Sequence, residues 1–168
     1  MSISVDLFRE VSLFADLEDA DLESLIAVAT RRKFPKDSVI FFEHDPGESL
    51  FVILSGRVKV TILSDDGREI ILSVLGEKDF FGEMSLLDNE PRSATAIAME
   101  DTEVVILHQR EFLSIVERRP RILVLLLAVL SSRLRNTDIS SRKILMSLRS
   151  RCGSIRKQNQ RQEKNISF

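Results

Sequence analysis

The chain has 168 residues, a net charge of −2 and an apolar fraction of 43%, enough for one domain with a full core and one further element. Cys152 is the only cysteine, which excludes an internal disulfide and fits a reducing, cytoplasmic setting. Met1 to Leu17 carries Asp6, Arg9, Glu10 and Asp16 where a secretion signal needs an apolar stretch, and the longest apolar run, Ile122 to Leu130, is about half the ~20 residues of a membrane span, so no membrane partner is expected.

In chain order, the first segment reads as helices. "DLFREVSLF" places Leu7, Phe8 and Val11 at helical spacing, and "DLEDADLESLIAVAT" places Leu22, Leu25, Ile26 and Ala29 on one face with acids early, as the helix dipole prefers. Pro35 closes this region. Six short β-rich runs follow: "SVIFFE", "SLFVILSG", "RVKVTIL", "EIILSVL", "SATAIAM" and "EVVILH". Pro46-Gly47, Ser55-Gly56, Asp65-Asp66-Gly67 and Gly76 punctuate them, and "RVKVTILSDDGREIILSVL" alternates about a turn as a hairpin does. Short strands at this spacing predict an antiparallel sandwich or barrel.

From Glu111 the period is helical again. A brief helix ends near Arg119, and Pro120 suits the first turn of another. Beyond it Leu123, Leu127, Leu130, Leu134, Thr137, Ser141, Ile144 and Leu148 alternate in steps of four and three. Such a seam predicts a long helix over 120–148 that pairs with a second copy, the alternative being one long core helix; Thr137 and Ser141 on the stripe favour the homodimer. Residues 149–168 have no periodic face and read as a basic, disordered tail. Residues 121–168 hold eleven Lys or Arg against two acids, a net of +9 that leaves −11 for the rest. A basic end of this kind either touches nucleic acid or is simply solvated, and the second is the expectation.

Glu83 and Arg92 are two charges in the mostly apolar stretch "FFGEMSLLDNEPRSATA". A charge among residues that favour burial must be paired or must meet a ligand. Either Arg92 and Glu83 form an internal ion pair, or they hold two ends of one ligand. Gly82 admits a close backbone approach, the residues from Glu83 to Leu87 can open a short helix whose amides face an anion, and Ser93 adds a hydroxyl donor. Phe81, Met84, Leu86, Leu87 and Ala94 would lower the dielectric around them. With Gly82, Ser93 and Ala94 in place, the ligand reading is the stronger.

Enzyme chemistry is not expected. His44 and His108 are the only histidines and lie far apart, without the clustered ligands of a jelly-roll metalloenzyme. Cys152 has no histidine near it in the sequence, and one cysteine cannot hold an iron–sulfur cluster.

"FGEMSLLDNEPRSATA" resembles the phosphate-binding cassette of cyclic nucleotide-binding domains. With "LFADLEDADLESL" and "GESLFVILSGRVKV", the chain from Leu13 to about Leu148 is similar to the sensor half of bacterial catabolite-activator and FNR-type (CRP/FNR) regulators. The resemblance implies a mainly β fold with flanking helices: an antiparallel jelly-roll over 1–119, then the dimerisation helix 120–148 and the tail 149–168. It implies a cytoplasmic sensor that binds a cyclic nucleotide, with cAMP expected, that needs no cofactor or metal, and that signals through the dimer helix. Gly82 and Glu83 would contact ribose and phosphate, Arg92 and Ser93 the phosphate, and Phe81, Met84, Ser85 and Ala94 the rest of the cassette. Thr137 and Asp138 match the pair that faces the adenine, although the family's second residue there is a serine. Family regulators continue into a winged helix-turn-helix of roughly 60–80 residues, whereas about 20 follow Leu148 here, so no sequence-specific DNA binding is expected of this chain alone. The alternative readings are a remnant of a DNA-binding regulator or a degenerate domain that binds no cyclic nucleotide.

Overall fold

The computed structural model describes residues 4–136. Thr137, Asp138, Ser141, Ile144, Leu148 and the tail therefore lie outside the described residues.

The chain opens with α1 (Val5–Arg9) and α2 (Asp19–Val28). The helix expected through Val11 stops at Arg9. Val11, Leu13, Phe14 and Leu17 are nevertheless buried, carried by successive turns, and Phe14 stacks on Phe8 at 5.4 Å. Helical spacing in the sequence thus recorded a buried cluster rather than a continuous helix. In α2, Leu22 and Leu25 are fully buried while Asp19 and Asp21 lie in the first turn.

Eight strands follow: β1 (Thr30–Phe34), β2 (Val39–Phe41), β3 (Ser49–Ser55), β4 (Val58–Leu63), β5 (Glu69–Leu75), β6 (Phe80–Phe81), β7 (Thr95–Ala98) and β8 (Thr102–His108). α3 (Glu83–Asp88) lies between β6 and β7, and α4 (Gln109–Arg118) follows β8. The strands form two four-stranded sheets of order β1-β8-β3-β6 and β2-β7-β4-β5, with antiparallel pairing throughout. This is the expected jelly-roll.

β1 leaves no strand pattern in the sequence, because "TRRKF" has one buried apolar residue, Phe34, and its charges face solvent at the sheet edge. Its five residues pair in register with β8, from Thr30↔Ile106 to Phe34↔Thr102. The expected hairpin is present, with Val58 opposite Leu75 and Leu63 opposite Glu69.

Phe51, Ile53, Phe81 and Val104 of one sheet meet Val58, Leu75, Ala96 and Ala98 of the other in a buried core. Leu50, Val52, Val105 and Leu107 alternate with residues of that core and are also fully buried. Strands buried on both faces need near-continuous apolar runs, which is why "LFVIL" and "VVIL" barely alternate.

Residues 121–136 are helical. The chain divides into two units, one through Leu126 and one from Leu127. Ile122 and Leu126 are buried with the first unit, so it extends past the boundary expected after residue 119. Of the expected seam, Leu123, Leu127 and Leu134 are exposed, the last two by 62% and 72%, and Leu130 is half-buried. Among the described residues no helix is long and apolar enough to cross a membrane.

Candidate ligand site around Arg92

The segment from β6 to β7 forms a turn, a short helix and a return. Gly82 is the N-cap of α3 at φ 81°, ψ 9°, a left-handed conformation that a side chain resists. Space makes the same demand, since a Cβ at Gly82 would sit 2.7 Å from Nη1 of Arg92 and 3.0 Å from the carbonyl oxygen of Ser49. Asn89 ends α3, also left-handed at φ 58°, and its amide donates to the Ser85 carbonyl at 3.1 Å.

Arg92 is almost wholly buried, with 4% of its surface exposed. Its backbone is bridged twice to the loop between β2 and β3: Arg92 N–H donates to Asp45 O, and His44 N–H donates to Arg92 O, both at 2.8 Å. The guanidinium donates from Nη1 to Gly82 O at 2.8 Å and from Nη2 to Ser49 O at 3.0 Å. It lies over the Phe41 ring at 4.4 Å and near the Phe51 ring at 5.5 Å. Burial lowers the Arg92 pKa from its ordinary value, and the negative charges of Glu83 and Asp45 act in the opposite direction. Two neutral carbonyls and an aromatic face hold the cation, while Nε is buried without a hydrogen-bond partner.

The surroundings of Nε are small. A Cβ on Gly47 would fall 3.0 Å from Nε and 2.3 Å from Cβ of Ser85. Glu83 and Ser85 are buried in the first turn of α3, beside the Gly82 turn. Ser93 is exposed and its hydroxyl donates to the sulfur of Met84 at 3.7 Å; Met84 is itself exposed.

The structure thus brings Gly82, Glu83, Met84, Ser85, Arg92, Ser93 and Ala94 together on one turn-helix-return. Phe81 belongs elsewhere: its ring stacks on Phe51 at 5.1 Å inside the core, so its side chain supports the site from behind. Leu86 is likewise buried, and Leu87 is exposed. The sequence reading missed the β2–β3 loop, which supplies Asp45 and Gly47, and the Ser49 carbonyl at the start of β3. The signal was the Pro46-Gly47 turn directly before "ESLF", which was read as punctuation alone. Among the described residues no three His, Cys, Asp or Glu side chains converge as a metal site.

The site is thus a buried, incompletely hydrogen-bonded arginine beside the N-terminus of a short helix, set in a jelly-roll. The family model of the cyclic nucleotide-binding domain matches residues 31–119, and the chain belongs to that family; its homology is to the N-terminal part of CRP/FNR-type regulators. It is 37% identical over 127 residues to the cyclic AMP receptor protein of Thermus thermophilus, covering 76% of this chain and 59% of that protein. It is 32% identical over 133 residues to the CRP-like cAMP-activated global transcriptional regulator of Mycobacterium tuberculosis, covering 79% of this chain and 59% of the relative. The chain therefore spans less than two thirds of these relatives. The crystal structure of the Thermus thermophilus catabolite activator protein superposes with a TM-score of 0.69 at 36% identity, covering 77% of this chain and 61% of that one. The sensor domain of the regulator DNR from Pseudomonas aeruginosa also gives 0.69, at 28% identity, covering 77% of this chain and 87% of that one.

Proposed function

We propose that this chain is a cAMP sensor module that reports ligand binding through a homodimer formed along its last helix. One observation carries the reading. Among the described residues, the buried side-chain nitrogen without a partner is Nε of Arg92, closely enclosed by Gly47 and Ser85. A buried donor left unmade costs about 1–3 kcal/mol, and an anionic oxygen would recover it through a charge-assisted bond.

In this reading Arg92 and Ser93 take the cyclic phosphate, the opening amides of α3 face it, and Glu83 accepts from a ribose hydroxyl. Gly82, Met84, Ser85 and Ala94 shape the cassette, and Thr137 and Asp138 meet the base. The choice of cAMP is supported by the names of the Thermus and Mycobacterium relatives. The dimer is supported by the exposed stripe of Leu123, Leu127 and Leu134, which continues in the sequence as Ser141, Ile144 and Leu148. Calorimetric titration of the whole chain with cAMP and cGMP tests the assignment. Saturable binding with cAMP the tighter is expected, and absence of heat with both would overturn it.

A further inference from the structure

The cassette helix α3 has six residues, too few to persist by their own hydrogen bonds. Something must hold it at both ends. At its start, Arg92 grips the Gly82 carbonyl. At its end the last carbonyls of a helix lack internal donors and need partners from elsewhere. Asn89 N–H satisfies Ser85 O. The carbonyl of Leu86 is satisfied from another element altogether: Nε2 of Gln109 donates to it at 2.8 Å. The same nitrogen donates its second hydrogen to Oδ1 of Asn89 at 2.7 Å. The Leu86 oxygen can only accept, so it fixes which way the Gln109 amide points.

Gln109 is the first residue of α4. Its backbone amide donates to Glu48 O at 2.9 Å, and the next carbonyl, that of Ser49, receives Nη2 of Arg92. A single half-buried glutamine therefore ties the end of α3, the residue that leads into the strand bracing Arg92, and the opening turn of α4.

We infer that Gln109 is a positioning residue that holds the cassette helix in its ligand-ready form and carries the state of that helix into α4. The inference rests on the nucleotide-binding reading of the Arg92 site. It requires no contact between Gln109 and the nucleotide. Ligand that orders the first turn of α3 also fixes Leu86 O and Asn89, and both amide hydrogens of Gln109 then have stationary acceptors.

The experiment uses the full chain, with Gln109→Leu to remove the donors at similar size and Gln109→Lys to retain a donor. Its first arm needs no ligand. Amide exchange at Leu87, Asp88 and Asn89 should be about tenfold faster in Gln109→Leu than in wild type, the scale of one or two neutral hydrogen bonds, with Gln109→Lys near wild type. The second arm adds cAMP. In wild type, ligand should slow exchange at residues 109–112; in Gln109→Leu at saturating ligand, α3 should still be protected and residues 109–112 should not. Equal exchange of α3 in wild type and Gln109→Leu, or full protection of α4 in that variant, overturns the inference. Failure of wild type to bind cAMP removes the ligand assignment, and the first arm still reads the role of Gln109 in the fold of α3. Gln109→Glu, which swaps donors for acceptors, repeats both arms if the leucine variant does not fold.

Discussion

Nη1 of Arg92 donates to the carbonyl of Gly82 at 2.8 Å, so the cation of the cassette is fastened to the very residue that caps the cassette helix. This one bond couples the position of the charge to the start of the helix. Loss of either partner should therefore be felt by both.

Arg92→Met separates binding from stability. The variant should lose about 2–5 kcal/mol of cAMP binding, the range for removing one partner of a desolvated charge contact. Free of ligand, it should be destabilised by less than that. Two carbonyl bonds are lost, but the cost of burying the guanidinium, which already lowers its pKa, is relieved. Calorimetry beside urea denaturation checks the pair of values; a variant that unfolds in proportion to its lost affinity would show Arg92 to be structural.

Gly82→Ala meets two obstacles at once, a positive φ and a Cβ only 2.7 Å from Nη1 of Arg92. A destabilisation of about 1–3 kcal/mol is expected from the strained backbone alone. Displacement of the guanidinium should weaken cAMP binding as well. Thermal denaturation and titration of the variant measure the two effects. Wild-type affinity would mean that the fork of Arg92 does not meet the ligand.

The cassette was the most legible part of the sequence, because Gly82, Glu83, Arg92 and Ser93 sit within one local segment whose residue types have few other uses together. The β2–β3 loop was not legible. Asp45 and Ser49 hold Arg92 by backbone carbonyls and Gly47 by the absence of a side chain, and neither leaves a mark on composition. Gln109 was hidden for the same reason: its value comes from the meeting of α4 with α3, some twenty positions earlier. Strands buried on one or both faces announced themselves by apolar runs. β1 did not, because four of its five residues are exposed.

Arg31 grips Glu103 with two bonds, Nε to Oε1 at 2.5 Å and Nη2 to Oε2 at 2.7 Å, tying β1 to β8. This holds the Glu103 carboxyl below its ordinary pKa of 4.5. A carboxyl depressed in the folded state adds stability that is present in full above its unfolded pKa and is lost as pH falls through its folded pKa. The wild type should therefore exceed Glu103→Gln in stability at neutral pH by a small margin, since the pair is partly exposed, and the margin should shrink in acid below about pH 4.5. Denaturation midpoints of both proteins across that range decide it; a constant difference would assign the effect to packing.

Leu127→Lys places a charge on the exposed stripe of the last helix. If that stripe is the dimer seam, the variant should sediment as a monomer at tens of micromolar where wild type is a dimer, an order of magnitude set by ordinary coiled-coil packing. Leu123→Lys should act in the same direction. Wild type that is itself monomeric at this concentration would remove the seam from the proposed function.

β1 sits at the open edge of its sheet, and its outward residues include Arg32 and Lys33. An uncovered strand is a template on which an identical chain can add. Here two copies brought edge to edge would confront like charges, so the cationic border works as a guard against fibrous stacking while the protein is concentrated. The guard is electrostatic and hence conditional. At an ionic strength near 1 M the screening length falls to about 3 Å, and the repulsion that keeps these borders apart is then largely gone. Storage and crystallisation from strong salt would thus test an edge of the jelly-roll that is defended by charge.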